Sequence, residues 1–372
     1  MRFIIFATIF ILVMALLSLF ISKRFINKLA ISKKSKHILN IFLLVNLFGV
    51  IAYMASRYLI SVPNEIYFLL SLPIGVIFLL FCTTLIYEII SHLPKISKNE
   101  NRRDFLKKSI DLGSLAFATS ITTKAIYNAK ESYVENIRVK IPKLKKPYTI
   151  VQLSDVHIGG LIDHDFIKNI VYKVNKLNAD VVVITGDLID TDINYVKDAV
   201  DELKNLKSKY GTYFIVGNHE YFHEIEKILA YIKSINIKVL ENESVYIGEE
   251  NSGFNLAGVY DIFGYKAEKF EPDIKKALKD IQDSPTVLLA HQPKYITELD
   301  NQNVDLVLSG HTHGGQIVPF NLLVRLAQPY IKGLHQHNEK TQIYVNKGTG
   351  FWGPPMRLGA SSEITYLKLL PV

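Results

Sequence analysis

Three long apolar runs fill most of the first quarter of this 372-residue chain, and they restrict its fold more than any other feature. Phe3 to Ile21, Ile38 to Ile60 and Ile66 to Tyr87 are each long enough to cross a bilayer, which takes roughly 20 residues of helix. A backbone in hydrocarbon must satisfy its own hydrogen bonds, so all three are expected to be helices. The second carries Asn40, Asn46 and Arg57, and the third carries no charge. A cleaved leader is a poor reading of the first run, because Met1-Arg2 is a thin charged region and two further spans come after it.

The formal net charge is +8, and much of the basic charge sits in short segments beside the apolar runs. Lys23, Arg24, Lys28, Lys33, Lys34 and Lys36 separate the first two spans, whereas Ser61 to Glu65 holds no Lys or Arg. Lys95, Lys98, Arg102, Arg103, Lys107 and Lys108 come after the third. The positive-inside rule therefore places the first and third loops in the cytoplasm and the N-terminus outside. Asn101-Arg102-Arg103-Asp104-Phe105-Leu106-Lys107-Lys108 resembles a twin-arginine export signal, and the weakly apolar segment Ile110 to Thr123, containing Asp111, suits the apolar stretch of such a signal. On that reading the protein is a multi-pass inner-membrane protein whose catalytic domain, after about residue 125, is extracytoplasmic. The competing reading is a basic cytoplasmic anchor followed by an amphipathic surface helix. The expected organisation is a membrane region over 1–92, a basic segment with a weak fourth apolar helix over 93–130, and a folded domain over 131–372. The single cysteine, Cys82, lies in an apolar run, so neither an intrachain disulfide nor a thiolate metal cluster can form.

From Ser132 the pattern changes to short β-branched runs separated by polar helical stretches. Strands are expected at Val134 to Ile141, Tyr148 to Leu153, Asp180 to Ile184 and Thr212 to Val216, with helices at Asp165 to Asn178, Asn194 to Ser208 and Tyr221 to Ser234. Further strands are expected at Ile237 to Leu240, Ser244 to Ile247, Phe254 to Val259, Thr286 to Ala290, Asp305 to Leu308, Gln342 to Val345 and Glu363 to Leu369, with a helix at Pro272 to Gln282. Successive strand–helix units argue for a layered α/β domain.

Chemistry-bearing residues stand directly after the expected strands. Asp155 and His157 follow one, Asp187 the next, Asn218 and His219 the next, His291 another, and His311 and His313 the last. Ligands of α/β sheets bind at the carboxyl ends of strands. Carboxylate, amide and imidazole without sulfur suit Mn²⁺, Fe or Zn²⁺. Seven such groups exceed what one tetrahedral ion needs and fit two ions roughly 3.5–4 Å apart, bridged by one carboxylate. Two such cations polarise a phosphoryl oxygen and supply hydroxide near neutral pH.

Asp155-Val156-His157, Gly186-Asp187-Leu188-Ile189-Asp190, Gly217-Asn218-His219-Glu220, His291 and Gly310-His311-Thr312-His313 resemble, in order and spacing, the motifs of the calcineurin-like metallophosphoesterases. Gly314-Gly315-Gln316 and Gly348-Thr349-Gly350 to Arg357 resemble the bacterial membrane-associated branch. The resemblance covers about Ser132 to Val372. It implies an α/β fold, a four-layer β-sandwich flanked by helices, preceded here by an all-α transmembrane portion. It implies two divalent metal ions, with Mn²⁺ first and Fe or Zn²⁺ as alternatives. Asp155, His157 and His313 would hold one ion, Asn218, His291 and His311 the other, and Asp187 would bridge them. His219 would contact the phosphate and assist the leaving group, and Asp190 would hold an imidazole or the loop.

Arg357 is a candidate for binding substrate phosphate. His335, His337, His164 and His223 read as solvated or peripheral. Asn321 to His337 carries Leu322, Leu323, Leu326 and other apolar residues where a loop is expected, so it is either a lipid-contacting flap or an ordinary packed excursion. The expected partners are membrane lipids and a phosphate-ester substrate, a phosphodiester or pyrophosphate that the tether favours being lipid-linked. No basic run interleaved with aromatics stands out in the second half, so no nucleic acid is expected. Two other readings stand beside this one: a cytoplasm-facing nucleotide-diacylglucosamine pyrophosphatase of lipid A synthesis, and a non-catalytic metal-binding interaction module.

Overall fold

The computed structural model describes residues 2–58, 62–93, 98–299 and 302–372, with side chains described except at residues 2, 3, 57 and 58. Lys95, Ser61, residues 59 and 60 of the second expected span, and the Arg57 side chain lie outside this description. The chain forms two compact units, one comprising residues 1–128 with 353–358 and the other residues 129–352 with 359–372.

The first unit is helical. Helices α1 (Arg2–Arg24), α2 (Lys33–Tyr58), α3 (Asn64–Ile90) and α4 (Glu100–Ala129) succeed one another. The first three are long and apolar enough to cross a membrane. They share a core of Met14, Ile21, Leu43, Val50, Ile77 and Tyr87, while Ile9, Leu12, Leu16 and Leu19 face outward, as lipid-facing side chains do. Gly49 lets α2 approach α3, since a Cβ there would lie 2.6 Å from Pro73 Cγ.

The weak apolar segment expected at 110–123 is the middle of α4, a helix of 30 residues. Its buried seam is small and polar, with Asp111, Ser114, Ala118 and Ala125 at helical spacing. Asp111 is 2% exposed and fully engaged. It accepts from Tyr87 Oη at 2.8 Å and from the Ala30 amide at 2.6 Å, and it pairs with Lys107. Lys107 also donates to the Lys28 carbonyl at 3.0 Å. The start of α4 is therefore fastened to the basic turn that joins α1 and α2.

The second unit is built on two six-stranded sheets. The first has the order β1 (Ser132–Ile141), β12 (Ser362–Pro371), β2 (Tyr148–Leu153), β3 (Val181–Thr185), β4 (Thr212–Ile215) and β5 (Lys238–Val239). The second runs β10 (Gly333–Gln336), β11 (Gln342–Val345), β9 (Leu306–Ser309), β8 (Thr286–Leu289), β7 (Phe254–Gly258) and β6 (Glu243–Ile247). β2 to β5 are mutually parallel, and so are β7, β8, β9 and β11. Every residue of β3 is buried, as expected for a parallel strand covered on both faces.

Ile150, Val181, Val183 and Ile215 of one sheet meet Leu256, Val287, Leu306 and Tyr344 of the other in the central core. Helices α5 (His164–Asn175), α6 (Lys197–Asp201) and α7 (Ile225–Ser234) cover the outside of the first sheet. The short helix α9 (Ile274–Ala277), with a 3-10 turn at Pro293–Glu298, covers the second, while Phe263 and Ala267 of α8 (Phe263–Ala267) pack against the core on the helical side of the first. This is the helix–sheet–sheet–helix sandwich expected.

The helices expected at Asp165 to Asn178 and Tyr221 to Ser234 form with one end trimmed, and the other two are shorter still. Asn194 to Ser208 breaks into 3-10 turns at Ile193–Tyr195 and Glu202–Asn205 around α6, because Val196, with φ −129°, leaves the helix to bury its side chain with Val200 and Leu203. Pro272 to Gln282 keeps only α9, a Lys-rich turn in which Ala277 alone is buried to hold it. Helices α8 and α10 (Asn321–Ala327) and strand β10 add to the elements expected from the pattern of residues.

Candidate metal centre

The seven proposed ligands come from loops at the carboxyl ends of β2, β3, β4, β8 and β9. Five of them, Asp155, His157, Asp187, His311 and His313, have φ between 49° and 69°. Residues with a Cβ seldom occupy that left-handed region, and such strain collects at functional sites. Glycines let the loops close on one another: a Cβ on Gly217 would lie 2.2 Å from Asp187 Oδ1, and one on Gly310 would lie 2.2 Å from Asp155 Oδ2.

Asp155, His157 and His313 form one group whose ligand atoms lie within 4.8 Å of one another, and Asp187, His291 and His311 form another. His157, Asp187 and His219 form a third at the junction. His157 Nε2 and His313 Nε2 are 3.0 Å apart. His291 Nε2 lies 3.1 Å from Asp187 Oδ2, and Asp187 Oδ1 accepts the His219 amide at 2.8 Å. The Asp155 carboxylate accepts the His311 amide at 2.8 and 2.9 Å.

The donor set suits divalent cations. Asn218 Oδ1, His157 Nδ1 and His311 Nδ1 are buried without a hydrogen-bond partner, and unsatisfied buried polar atoms are uncommon. His291 Nδ1 lies 2.8 Å from the Thr185 carbonyl, which can only accept; the proton is therefore on Nδ1, leaving the Nε2 lone pair for an ion. His219 differs. Its Nδ1 lies 2.6 Å from Asp190 Oδ1, and its Nε2 is 4.0 Å from Asp187 Oδ2.

Charge is unevenly spread over the cluster. Burial, then the His219 charge, drives His157 down to about 3, and burial, then the His291 charge, does the same to His311. Burial also opposes charge on His219, but Asp187 and Asp190 outweigh it and raise that imidazole to about 9. Burial lifts Asp155 to about 6, whereas His291 and His219 overcome burial at Asp187 and hold it well below the usual carboxylate range. Burial opposes charge on His291 as well, but Asp187 beside it outweighs burial and raises that imidazole well above its usual value.

Arg357 belongs to the helical unit, completely buried, with its amide donating to the Ala125 carbonyl at 2.8 Å and its carbonyl accepting from Asn128 Nδ2 at 3.2 Å. It is therefore no surface group: Arg357 comes after Pro354, Pro355 and Met356 in a segment packed with the helices. His164 pairs with Glu202 at 2.9 Å, and His335 and His337 sit beside Tyr330.

Two further acids support the site. Glu220 is completely buried, and its carboxylate accepts four amides, those of Asp187, Leu188, Ile189 and Gly217, at 2.7 to 3.1 Å. It shapes both the Asp187 and the Asn218 loops. Asp261 lies just beyond β7 and accepts from the Phe263 amide and from Gln292 Nε2, whose neighbour is His291. The residues do carry a signal for Asp261: an acid just after a buried strand, the same signal that marks the ligands.

The calcineurin-like phosphoesterase profile matches residues 148–315, which span every proposed ligand. A Helicobacter pylori protein described as an uncharacterized metallophosphoesterase is 44% identical over 83% of this chain and 84% of its own length. The chain belongs to the calcineurin-like phosphoesterase family. A Campylobacter jejuni metallophosphoesterase is 35% identical over 99% of both chains, so it matches the helical unit as well. A Bos taurus protein described as a transmembrane protein with metallophosphoesterase domain is 40% identical over 62% of this chain and 54% of its own. The protein is thus a metal-dependent phosphoesterase with membrane-associated N-terminal helices.

Proposed function

We propose that this phosphoesterase hydrolyses a phosphodiester or pyrophosphate, with two Mn²⁺ ions, on a lipid-linked substrate outside the cytoplasm. The observation that carries it is the pair of ligand groups, Asp155–His157–His313 and Asp187–His291–His311, meeting beside unpartnered Asn218 Oδ1. Asp155, His157 and His313 would hold one ion, and Asn218, His291 and His311 the other, with Asp187 between. Bound together, two divalent cations supply Lewis-acid polarisation of the phosphoryl group and an activated water. His219, kept protonated by Asp190 and Asp187, is set to give a proton to the departing oxygen.

The tether supports a substrate at the bilayer. Lys107 and Asp111 fasten the start of α4 to the basic turn near Lys28, and the positive-inside rule assigns that end to the cytoplasm. A 30-residue helix is about 45 Å long, but α4 is not among the three helices apolar enough to span, so its crossing rests on the twin-arginine reading.

The full chain in detergent, supplied with Mn²⁺, should release nitrophenol from bis-p-nitrophenyl phosphate and stop on chelation. Bound metal without any turnover would replace this reading with that of a binding module. For sidedness, alkaline phosphatase or green fluorescent protein is fused after Val372, leaving residues 353–358 in place. Activity of only the fluorescent fusion would put the site in the cytoplasm.

A further inference from the structure

Helix α10 buries none of its seven residues. Leu322, Leu323 and Leu326 are 60%, 59% and 84% exposed. Yet α10 is pinned at both ends to the loops that carry metal ligands. At its start, Gly315 presses against Asn321, where a Cβ would lie 2.3 Å from Asn321 Cα. At its end, Gln328 accepts the Lys294 amide at 3.0 Å and donates to Gln292, beside His291, at 3.2 Å. The same rim carries two aromatics flanking His219: Phe222 at 5.3 Å and Trp352 at 5.9 Å between ring centres, 55% and 45% exposed. Gln316 holds Trp352 by a reciprocal pair, donating to its carbonyl at 2.8 Å and accepting its amide at 3.1 Å. Exposed Lys294, Arg325 and Lys332 border the apolar crest.

We propose that α10 with Trp352 and Phe222 is a bilayer-docking surface, seated at the boundary between headgroups and acyl chains. The occupant is a lipid surface for two reasons. This chain carries its own three helices long and apolar enough to cross a membrane, so a bilayer is a surface within the domain's reach. The basic border around an apolar crest also matches anionic headgroups over hydrocarbon. Docked this way, the His219 side of the site, where the leaving group departs, opens toward lipid. An acyl-bearing phosphate ester would then reach the metals without leaving the membrane. The usefulness of such a surface rests on the lipid-linked reading above; its geometry does not.

Trp352 is the only tryptophan in the chain, so its emission reports on this rim directly. The full chain is placed in nanodiscs of phosphatidylcholine and phosphatidylglycerol brominated either high or low on the acyl chains. Loss of emission with the high-brominated lipid, reversed in an L322E/L323E/L326E variant that keeps its far-ultraviolet dichroism, is the expected result. Unquenched emission in every disc overturns the proposal, and so does quenching that persists unchanged in the variant. Crosslinking of an L326C chain on a C82S background into dimers, without quenching, overturns it in favour of a second copy as the occupant. The lipid-linked reading fails separately, if the quenched enzyme turns over bis-p-nitrophenyl phosphate but no lipid phosphodiester.

Discussion

Replacing Glu220 with glutamine tests whether the metal loops are shaped by one buried carboxylate. In the parent, Oε1 accepts the Leu188 and Ile189 amides at 2.8 and 3.1 Å, and Oε2 accepts those of Asp187 and Gly217 at 3.1 and 2.7 Å. Glutamine keeps one oxygen and turns an NH₂ toward the other two amides. Two buried donors then lose their acceptor, at about 1–3 kcal/mol each, or roughly 2–6 kcal/mol before the loops relax. Relaxation moves Asp187 and Asn218, so metal binding should weaken about 10- to 100-fold, the range for losing a group that orients ligands. The assay is metal titration of the full-length chain by calorimetry, with a denaturant midpoint beside it. A second readout is pH. Burial and the Asp187 charge push the Glu220 carboxyl up to about 7 from 4.5. Between those values the metal-free folded state holds a proton that the unfolded state has released, so parent stability falls as pH rises through that window. The glutamine variant should lack this decline. Unchanged metal affinity, midpoint and pH profile in the variant would refute the reasoning.

Removal of His219 as His219→Ala should slow an alkyl phosphodiester by about 100- to 10,000-fold, while bis-p-nitrophenyl phosphate, with its good leaving group, loses far less; steady-state kinetics on both esters decide this. In metal-free protein, Asp190→Asn should lower the His219 pKa from about 9, because burial then opposes the charge with one partner fewer, and histidine NMR titration reads the shift. Before that change, the raised His219 value stabilises the metal-free fold fully below pH 6.5, and the gain is lost as pH rises through about 9. Chelation should lower the thermal midpoint, and metal affinity should rise with pH as the ligand His291, whose pKa Asp187 raises in the metal-free protein, gives up its proton, which titrations at several pH values would show. In the helical unit, Asp111→Asn removes the charged partner of Lys107 and should cost on the order of 3 kcal/mol, measured by thermal unfolding in detergent.

Much of the site is legible in the residues because the ligand-bearing loops come after short, fully buried strands, and β-branched runs such as Val181-Val182-Val183-Ile184 announce themselves. The seven ligands are local in sequence to those strand ends. The features that stay hidden depend on distant packing. Arg357 sits in a Gly-Pro-rich stretch near the end of the chain, and nothing local reveals that residues 353–358 join helices formed before residue 129. Asp111 reads as a flaw in an apolar segment because its partners, Ala30, Tyr87 and Lys107, come from three different stretches. Glu220 is visible as part of a motif, but four backbone amides leave no trace in residue types. Pro272 to Gln282 has the spacing of a helix yet little to bury, so most of it does not form one.

The left-handed ligands leave a record of use. Asp155, His157, Asp187, His311 and His313 each keep a side chain where the backbone would be more relaxed with glycine. What those side chains hold, together with the amides that Asp155 and Asp187 accept, offsets that strain. In a descendant lineage that had retired the chemistry but kept the sandwich, drift toward glycine or asparagine should begin at these five positions. Lineages that still use the centre should resist it there, whatever happens to the surrounding loops.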